Sequence, residues 1–332
     1  MSDKIAEWLE AAGGTLIKQS GVNWISTCPF HKDTRRSFSI NSEDGRYICF
    51  SESCGVYGGL YAFLKEGCGF APARALKLAS EFSTYESPGK FGDWEELPDW
   101  GGRRSKEDPT TKKIAEHMLG LYEFCPEYMR NRGFSIKTLR KWEIGYDFEQ
   151  KRVTIPVRDE YGELVGMSKR ATLKTQETPY LHLEFKRSHF LYGAHFVAPR
   201  DDVWVTEGQL DALALSQFGL SAVSTMSARV SPTHVKKLSK HKGRVILAFD
   251  NDSDGRSATV RVGEGLLKKG IVALVARQYP TYVRWDGEEE EVKDPGKLVE
   301  LYTRKSDEVI TFLSELTPYD SVRLEPEYVV GL

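Results

Sequence analysis

From Asp202 onward, short apolar strands alternate with helix-length segments, and this alternation restricts the region to an α/β fold around a mostly parallel sheet. The strands read DVWVT, SAVST, RVILAF and IVALVAR, with the helical segments LDALALSQF, PTHVKKLS and SATVRVGEGLLKK between them. Parallel strands need crossovers of this length. Their carboxyl ends then share one edge, which is where open α/β sheets hold ligands.

Acidic residues gather at those strand ends. DVWVT runs into Glu207-Gly208, with Asp211 four residues after the Glu; RVILAF runs into Asp250-Asn251-Asp252-Ser253-Asp254-Gly255; the next strand region leads to Lys293-Asp294-Pro295. Anions this close repel and raise one another's pKa unless a cation joins them. Carboxylate oxygens at strand ends suit Mg²⁺, which binds through a few carboxylates plus substrate phosphates, so phosphoryl transfer is the chemistry expected. DNDSDG also resembles the start of a calcium loop, but the twelfth residue from Asp250 is Arg261 where an EF-hand needs Glu.

Upstream the pattern changes twice. Residues 111–196 mix helix (KKIAEHMLGLYEF, SIKTLRKW) with strands (RVTIPVRD, ELVGMSKRA) joined by the turn EYG, as in an α+β unit. Residues 84–110 carry Pro, Gly and charge with little periodicity and read as a linker, with Trp94 and Trp100 available to dock. Before it, Ser2 can cap a first helix ending at Gly13-Gly14, and helices are expected over residues 59–65 and 72–82. Between residues 15 and 58, short alternating strands and polar turns suggest a small antiparallel sheet.

So small a sheet has a thin core and needs another source of stability. Cys28 and His31 are separated by two residues, and Cys49 and Cys54 follow about twenty residues later, the layout of one structural tetrahedral zinc site. Cys68 and Cys125 have no such neighbours and read as part-buried free thiols. Lys32, Arg35 and Arg36 stand near the site with Trp24, Phe30, Phe38, Tyr47 and Phe50 interleaved. Those rings suit either a small core or the stacking of single-stranded bases.

The 332 residues carry 46 Lys and Arg against 48 Asp and Glu, so a polyanion must be held by local basic patches or by metal. No apolar run reaches the roughly 18 residues of a membrane span, and MSDKIAEWLE lacks the layout of a signal peptide. No GxxxxGK[ST] loop occurs, so a helicase engine is expected on a separate protein. The acidic run at residues 286–291 reads as a solvated hairpin tip, and residues 234–244 as a basic helix end equally suited to solvent or DNA.

With these motifs in place, the sequence resembles the DNA primases of bacteria and their phages, the DnaG family. CPFH, SFSI, YICF and CGVYGG resemble the family's zinc-ribbon domain; YMRNRGFSIKTLRKWEIGY, RVTIPVRDEYGELVGMSKRAT and HFLYG resemble the opening of its polymerase core; EGQLDA, FDNDSDG and KDP resemble the three motifs of its Rossmann-like TOPRIM catalytic subdomain. The resemblance implies a zinc-ribbon DNA-binding domain over residues 1–84, a linker over 85–110, the N-terminal subdomain of an RNA polymerase core over 111–199, TOPRIM over 200–300 and a short helical tail over 301–332. It implies synthesis of RNA primers from ribonucleoside triphosphates on single-stranded DNA, in the cytoplasm of a bacterium or infected host, beside a separate replicative helicase. The short form points to a phage-type or plasmid enzyme.

By the same resemblance Glu207, Asp250 and Asp252 are catalytic and, with Asp294, hold Mg²⁺ or Mn²⁺. Asp211 and Asp254 support the acidic cluster. Arg152, Arg158, Lys169, Arg170 and Lys186 face nucleotide or template phosphates, and Lys32, Arg35 and Arg36 contact DNA from the zinc domain. Three departures stand out: a longer gap between the last two cysteines, Gly296 where a second acid commonly follows KDP, and Pro179-Tyr180-Leu181-His182 where Lys-Tyr-Leu-Asn is frequent. Gly296 leaves one metal position either lost or supplied by Asp254. A TOPRIM nuclease or topoisomerase, and a non-catalytic replication-initiation factor, are the alternative readings.

Overall fold

The computed structural model describes residues 2–51, 53–82, 100, 115–276, 281–283, 289–302, 315–325 and 328. Most of the expected linker, residues 303–314 and the tip of the acidic hairpin lie outside the described residues.

Helix α1 (Ser2–Ala11) buries Ile5, Trp8 and Leu9 against an antiparallel sheet whose strands follow chain order: β1 (Lys18–Ser20), β2 (Asn23–Ser26), β3 (Phe38–Asn41), β4 (Tyr47–Cys49) and β5 (Tyr57–Gly58). Phe38, Ile40 and Tyr47 point inward, and the rings of Phe38 and Tyr47 lie 5.3 Å from each other and 5.9 and 5.8 Å from that of Phe63. Helix α2 (Leu60–Ala62) continues into a π-turn at Phe63–Gly67, and α3 (Pro72–Phe82) closes the unit.

The expected helix through residues 112–124 is reduced among the described residues to a 3₁₀ segment, Glu116–Leu121, ahead of α4 (Glu127–Asn131) and α5 (Ile136–Lys141). Ser135 caps α5 by accepting from the Thr138 amide at 3.1 Å. An antiparallel sheet follows: β6 (Gly145–Asp147), β7 (Arg152–Arg158), β8 (Leu164–Ala171) and β9 (Tyr180–Leu183).

The alternating region gives β10 (Val203–Thr206), α6 (Gln209–Gln217), β11 (Ala222–Ser224), α7 (Pro232–Leu238), β12 (Val245–Leu247), α8 (Ser253–Leu267) and β13 (Leu274–Ala276). A hairpin of β14 (Thr281–Val283) and β15 (Glu289–Glu291) precedes α9 (Pro295–Tyr302), then β16 (Leu316–Pro318) and α10 (Tyr319–Val322). The sheet order is β11-β10-β12-β13-β16, parallel except for β16. Side chains alternate between its faces as a period of two requires. Trp204, Ile246 and Ala248 point to the core shared with α6 and α9, whereas Val203, Val205, Val245 and Leu247 point to the one shared with α7 and α8.

Two findings go beyond the sequence reading. Residues 315–325 pack onto the fold: β16 adds an antiparallel edge, and Tyr319 and Val322 are buried in the second core. Trp100 also docks firmly. It is 2% exposed, stacks on His241 with centroids 4.9 Å apart, and donates from its indole to the Ala194 carbonyl at 3.3 Å.

The small N-terminal unit is joined to the rest by backbone pairing. The Gly59 amide donates to the Glu123 carbonyl at 2.7 Å, and the Cys125 amide to the Tyr57 carbonyl at 2.9 Å. Arg46 bonds Glu123 at 3.3 Å across the same joint.

Candidate active site and metal centre

Cys28, His31, Cys49 and Cys54 place their ligand atoms within 4.8 Å of one another, a group close enough to share one ion. The three thiols are buried. Burial first, and then the proximity of the other thiols, pushes Cys28 and Cys54 above the ordinary thiol range. His31 Nδ1 is buried without a hydrogen-bond partner. Crowded thiols beside an orphaned imidazole nitrogen fit a tetrahedral Cys₃His zinc site, in which a cation offsets the thiolate charges.

Asp33 braces the first knuckle and was not singled out in the sequence. Its carboxylate accepts from Ser37 Oγ at 2.5 Å and from the Arg35 and Cys28 amides at 3.0 Å, which holds it below the usual carboxylate range. Ser37 Oγ also lies 3.3 Å from Cys49 Sγ, so this outer layer reaches both knuckles. Of the interleaved rings, Phe38 and Tyr47 are core, Trp24 and Phe30 are half-buried, and Phe50 is 69% exposed; Lys32, Arg35 and Arg36 are exposed as well. Cys125 is buried in the core of the next unit, and Cys68, half-buried, contacts the Trp8 carbonyl.

The basic residues of the α+β unit divide sharply. Arg158 is 1% exposed and bonds Glu116 and Glu143, each at 2.7 Å on its nearer contact. Lys169 is buried against Asp147 at 2.6 Å, and Arg152 donates to the Lys169 and Thr178 carbonyls. These three charges are satisfied inside the subdomain and do not face solvent. Arg170 is half-buried, its guanidinium bonded to the hydroxyls of Tyr128 and Tyr180, while Lys186 is exposed. Arg158→Ala, which strands two carboxylates, is expected to lower stability by about 3–5 kcal/mol, read from denaturant unfolding midpoints.

The acidic residues come together as their strand-end positions require. Asp211, at the start of α6, is buried; its Oδ2 accepts from the Gly208 amide at 3.0 Å and its Oδ1 from the Gly296 amide at 2.9 Å. A Cβ on Gly296 would stand 2.8 Å from Asp211 Oδ1 and 3.1 Å from Asp294 Oδ1, so this position admits no acid without moving its neighbours. Asp252 caps α8, accepting from the Gly255 amide at 2.8 Å, and a Cβ on Gly255 would collide with the Asp250 carbonyl at 2.0 Å. Asp294 likewise accepts from the Lys297 amide at 2.8 Å at the head of α9.

Asp250 is the centre of this group. Burial, and then the charges of Asp211, Glu207, Asp294 and Asp252, push it up to about 8. Its Oδ1 is buried without a partner. Asp211 is pushed up to about 7 by burial and by Asp294, against the two glycine amides and Arg132. Glu207 is raised by burial and by Asp252 and Asp254, against a backbone hydrogen bond from Ala228. An orphaned carboxylate oxygen among mutually repelling acids fits a hard divalent cation. Among the described residues the carboxylates do not close on one point as the thiols do, which leaves room for waters and phosphates.

Beside these acids lies a cavity of 710 Å³ lined by Glu207, Gln209, Asp254, Tyr180, His182 and Arg187, with Arg229 and Arg261 on its wall. None of the last three arginines was singled out in the sequence. Each sits singly in its own segment, and only the fold collects them.

A parallel sheet with carboxylates at its strand ends, preceded by a four-ligand Cys/His knuckle, is the arrangement of a zinc ribbon followed by a Toprim-like domain. Family models agree on both parts: CHC2 zinc finger over residues 4–88 and Toprim-like over residues 204–288. The sequence relatives are bacterial DNA primases. That of Chlamydia muridarum is 28% identical over 326 residues, covering 79% of this chain and 51% of the relative; that of Legionella pneumophila is 26% identical over 306 residues, covering 76% and 50%. The chain thus spans about half the length of the curated relatives it matches. The fold is similar to the zinc-binding and RNA polymerase domains of Aquifex aeolicus primase, with a TM-score of 0.50 at 18% identity over 95% of this chain and 83% of that one. No described helix is long and apolar enough to cross a membrane.

Proposed function

We propose that this protein is a DNA primase that joins ribonucleoside triphosphates into short RNA primers on single-stranded DNA. The observation that carries the reading is Asp250: a half-buried carboxylate whose Oδ1 is buried without a partner, and which feels the charges of Glu207, Asp211, Asp252 and Asp294 at the carboxyl edge of a parallel sheet. Bound Mg²⁺ or Mn²⁺ would neutralise the nucleotide phosphates there. Glu207, Asp250, Asp252 and Asp294 would hold it. Gly208 and Gly296 fix Asp211 through their amides, so the group keeps its shape while its charges repel. Glu207 would serve either as one of these ligands or as the group that accepts the proton of an attacking 3′-hydroxyl as the bond to the α-phosphorus forms and pyrophosphate departs.

The zinc ribbon supports template binding. Phe50 offers an exposed ring for a base, and Lys32, Arg35 and Arg36 are exposed on the same unit for phosphates. In the core, Arg170 and Lys186 remain the phosphate-facing candidates of the α+β unit. A separate helicase would supply unwound template.

The test is template-directed synthesis with purified protein, mixed-sequence single-stranded DNA, Mg²⁺ and labelled ribonucleotides. Short RNA products are expected. Cleaved template without RNA would indicate a Toprim nuclease instead, and neither product would indicate a binding factor.

A further inference from the structure

Residues 122–125 stitch the two antiparallel sheets together at their edges. On one side they meet β5, the last strand of the zinc ribbon: the Gly59 amide donates to the Glu123 carbonyl, the Cys125 amide donates to the Tyr57 carbonyl, and Gly58 faces Phe124 in an antiparallel bridge. On the other side they meet β6, the first strand of the α+β sheet, whose Tyr146 amide donates to the Tyr122 carbonyl at 2.8 Å. The seam is shaped for main chain. A Cβ on Gly58 would stand 2.6 Å from the Glu123 carbonyl, and one on Gly145 would collide with the carbonyl of Tyr122.

Side chains cross the same seam in both directions. Tyr57 and Ile48 of the zinc ribbon join the neighbouring core, while Phe124 and Phe148, in edge contact with centroids 4.8 Å apart, pack against the core of the zinc ribbon. The Tyr57 hydroxyl donates to the Ile144 carbonyl at 3.3 Å, and the Lys65 ammonium stands 4.5 Å from the centre of the Phe148 ring. Arg46 reaches Glu123, and Arg130 reaches the Cys54 carbonyl. Domains that move against one another meet through small, polar surfaces. Here the two units share ladder bonds and apolar core, and opening the seam would strand both.

The covalent connection is pinned independently. The chain leaves the zinc ribbon at the end of α3, and Trp100 is buried between His241 and the Ala194 carbonyl before the chain enters the α+β unit. With Trp100 held, the reach of a released zinc ribbon is set by residues 83–99 and not by the whole linker.

We propose that the zinc ribbon is a fixed part of its own polymerase core, so that Phe50, Lys32, Arg35 and Arg36 serve the acidic site of the same chain and one polypeptide suffices for each primer. The task given to the ribbon rests on the primer-synthesis reading; the seam does not. A ribbon that instead swings out to serve a neighbouring chain is the opposite outcome of the test.

Three measurements on the full chain decide it. Hydrogen exchange at the Gly59 and Cys125 amides is expected to be slower than in an open chain by about a thousandfold. Arg46→Ala combined with Arg130→Ala should speed it about tenfold and leave the amides of β7 unaltered. RNA made per molecule should stay within about twofold over a roughly hundredfold dilution, since no second chain has to assemble. A mixture of Cys49→Ser, which keeps the acidic site, with Asp250→Asn, which keeps the zinc ribbon, should restore no synthesis. Exchange at open-chain rates would overturn the proposal, as would RNA restored in the mixture or output per molecule that falls on dilution. A parent that protects both amides yet makes no RNA would retain the fixed seam and refute the primase reading; a primer-making parent whose mixed variants regain synthesis would do the reverse.

Discussion

Asp250→Asn is expected to reduce primer synthesis by about three orders of magnitude, a loss of about 4 kcal/mol of transition-state stabilisation. Asn keeps the shape but removes the charge on which four other acids converge. The same change has an opposite consequence for the metal-free protein. With Asp250 pushed up to about 8 and Asp211 to about 7, against an ordinary value of 3.8, the folded state binds protons that the unfolded state has released. Stability therefore falls as pH rises from about 4 towards 8. Mg²⁺ should raise the melting temperature more at pH 8 than at pH 6, and Asp250→Asn should flatten both dependences. A melting temperature that does not respond to Mg²⁺ at pH 8 would refute the metal-bridged reading of these acids.

Removing zinc should unfold the N-terminal unit while the two larger cores persist. Structural zinc contributes on the order of 10 kcal/mol in small domains, more than a five-stranded sheet of this size gains from its own burial. The loss should spread to the joint with the core, because the Arg130 guanidinium bonds the carbonyl of the zinc ligand Cys54 and the strand at Tyr57 pairs with Cys125. Chelation or Cys49→Ser should thus abolish near-ultraviolet signal from Trp8 and Trp24 and leave a separate, later melting transition. Because the thiols must release protons to bind metal, zinc should be lost more readily as pH falls. A single transition unchanged by chelation would refute this.

The Toprim half of the fold was legible because its information is local. Strand period, helix length, and the glycines at 208 and 255 lie within a few residues of the acids they position. The Cys/His knuckles are readable for the same reason. The buried cations were not. The family resemblance assigned Arg158, Lys169 and Arg152 to phosphates, but they are buried, and the carboxylates that meet two of them come from a distance: Glu116 is 42 residues from Arg158, and Asp147 is 22 from Lys169. The rings near the zinc ligands left core and stacking roles open, and burial assigns Phe38 and Tyr47 to the first, leaving Phe50 for the second. Arg187, Arg229 and Arg261 carry no motif and meet only in the folded chain. The strand at Leu316–Pro318 is too short, and too interrupted by proline, to announce itself.

The acids of the site also differ in how firmly they are anchored. Asp211 stands on α6, whose residues from Gln209 to Leu215 are all buried, and two amides from separate segments grip its carboxylate. Asp252 and Asp254 lie on an exposed turn at the head of α8. One side of the centre is consequently a fixed frame and the other a compliant jaw. If the site makes primers as proposed, such a division would let it keep its orientation to the template while adjusting to charge that migrates from the nucleotide to the departing phosphates.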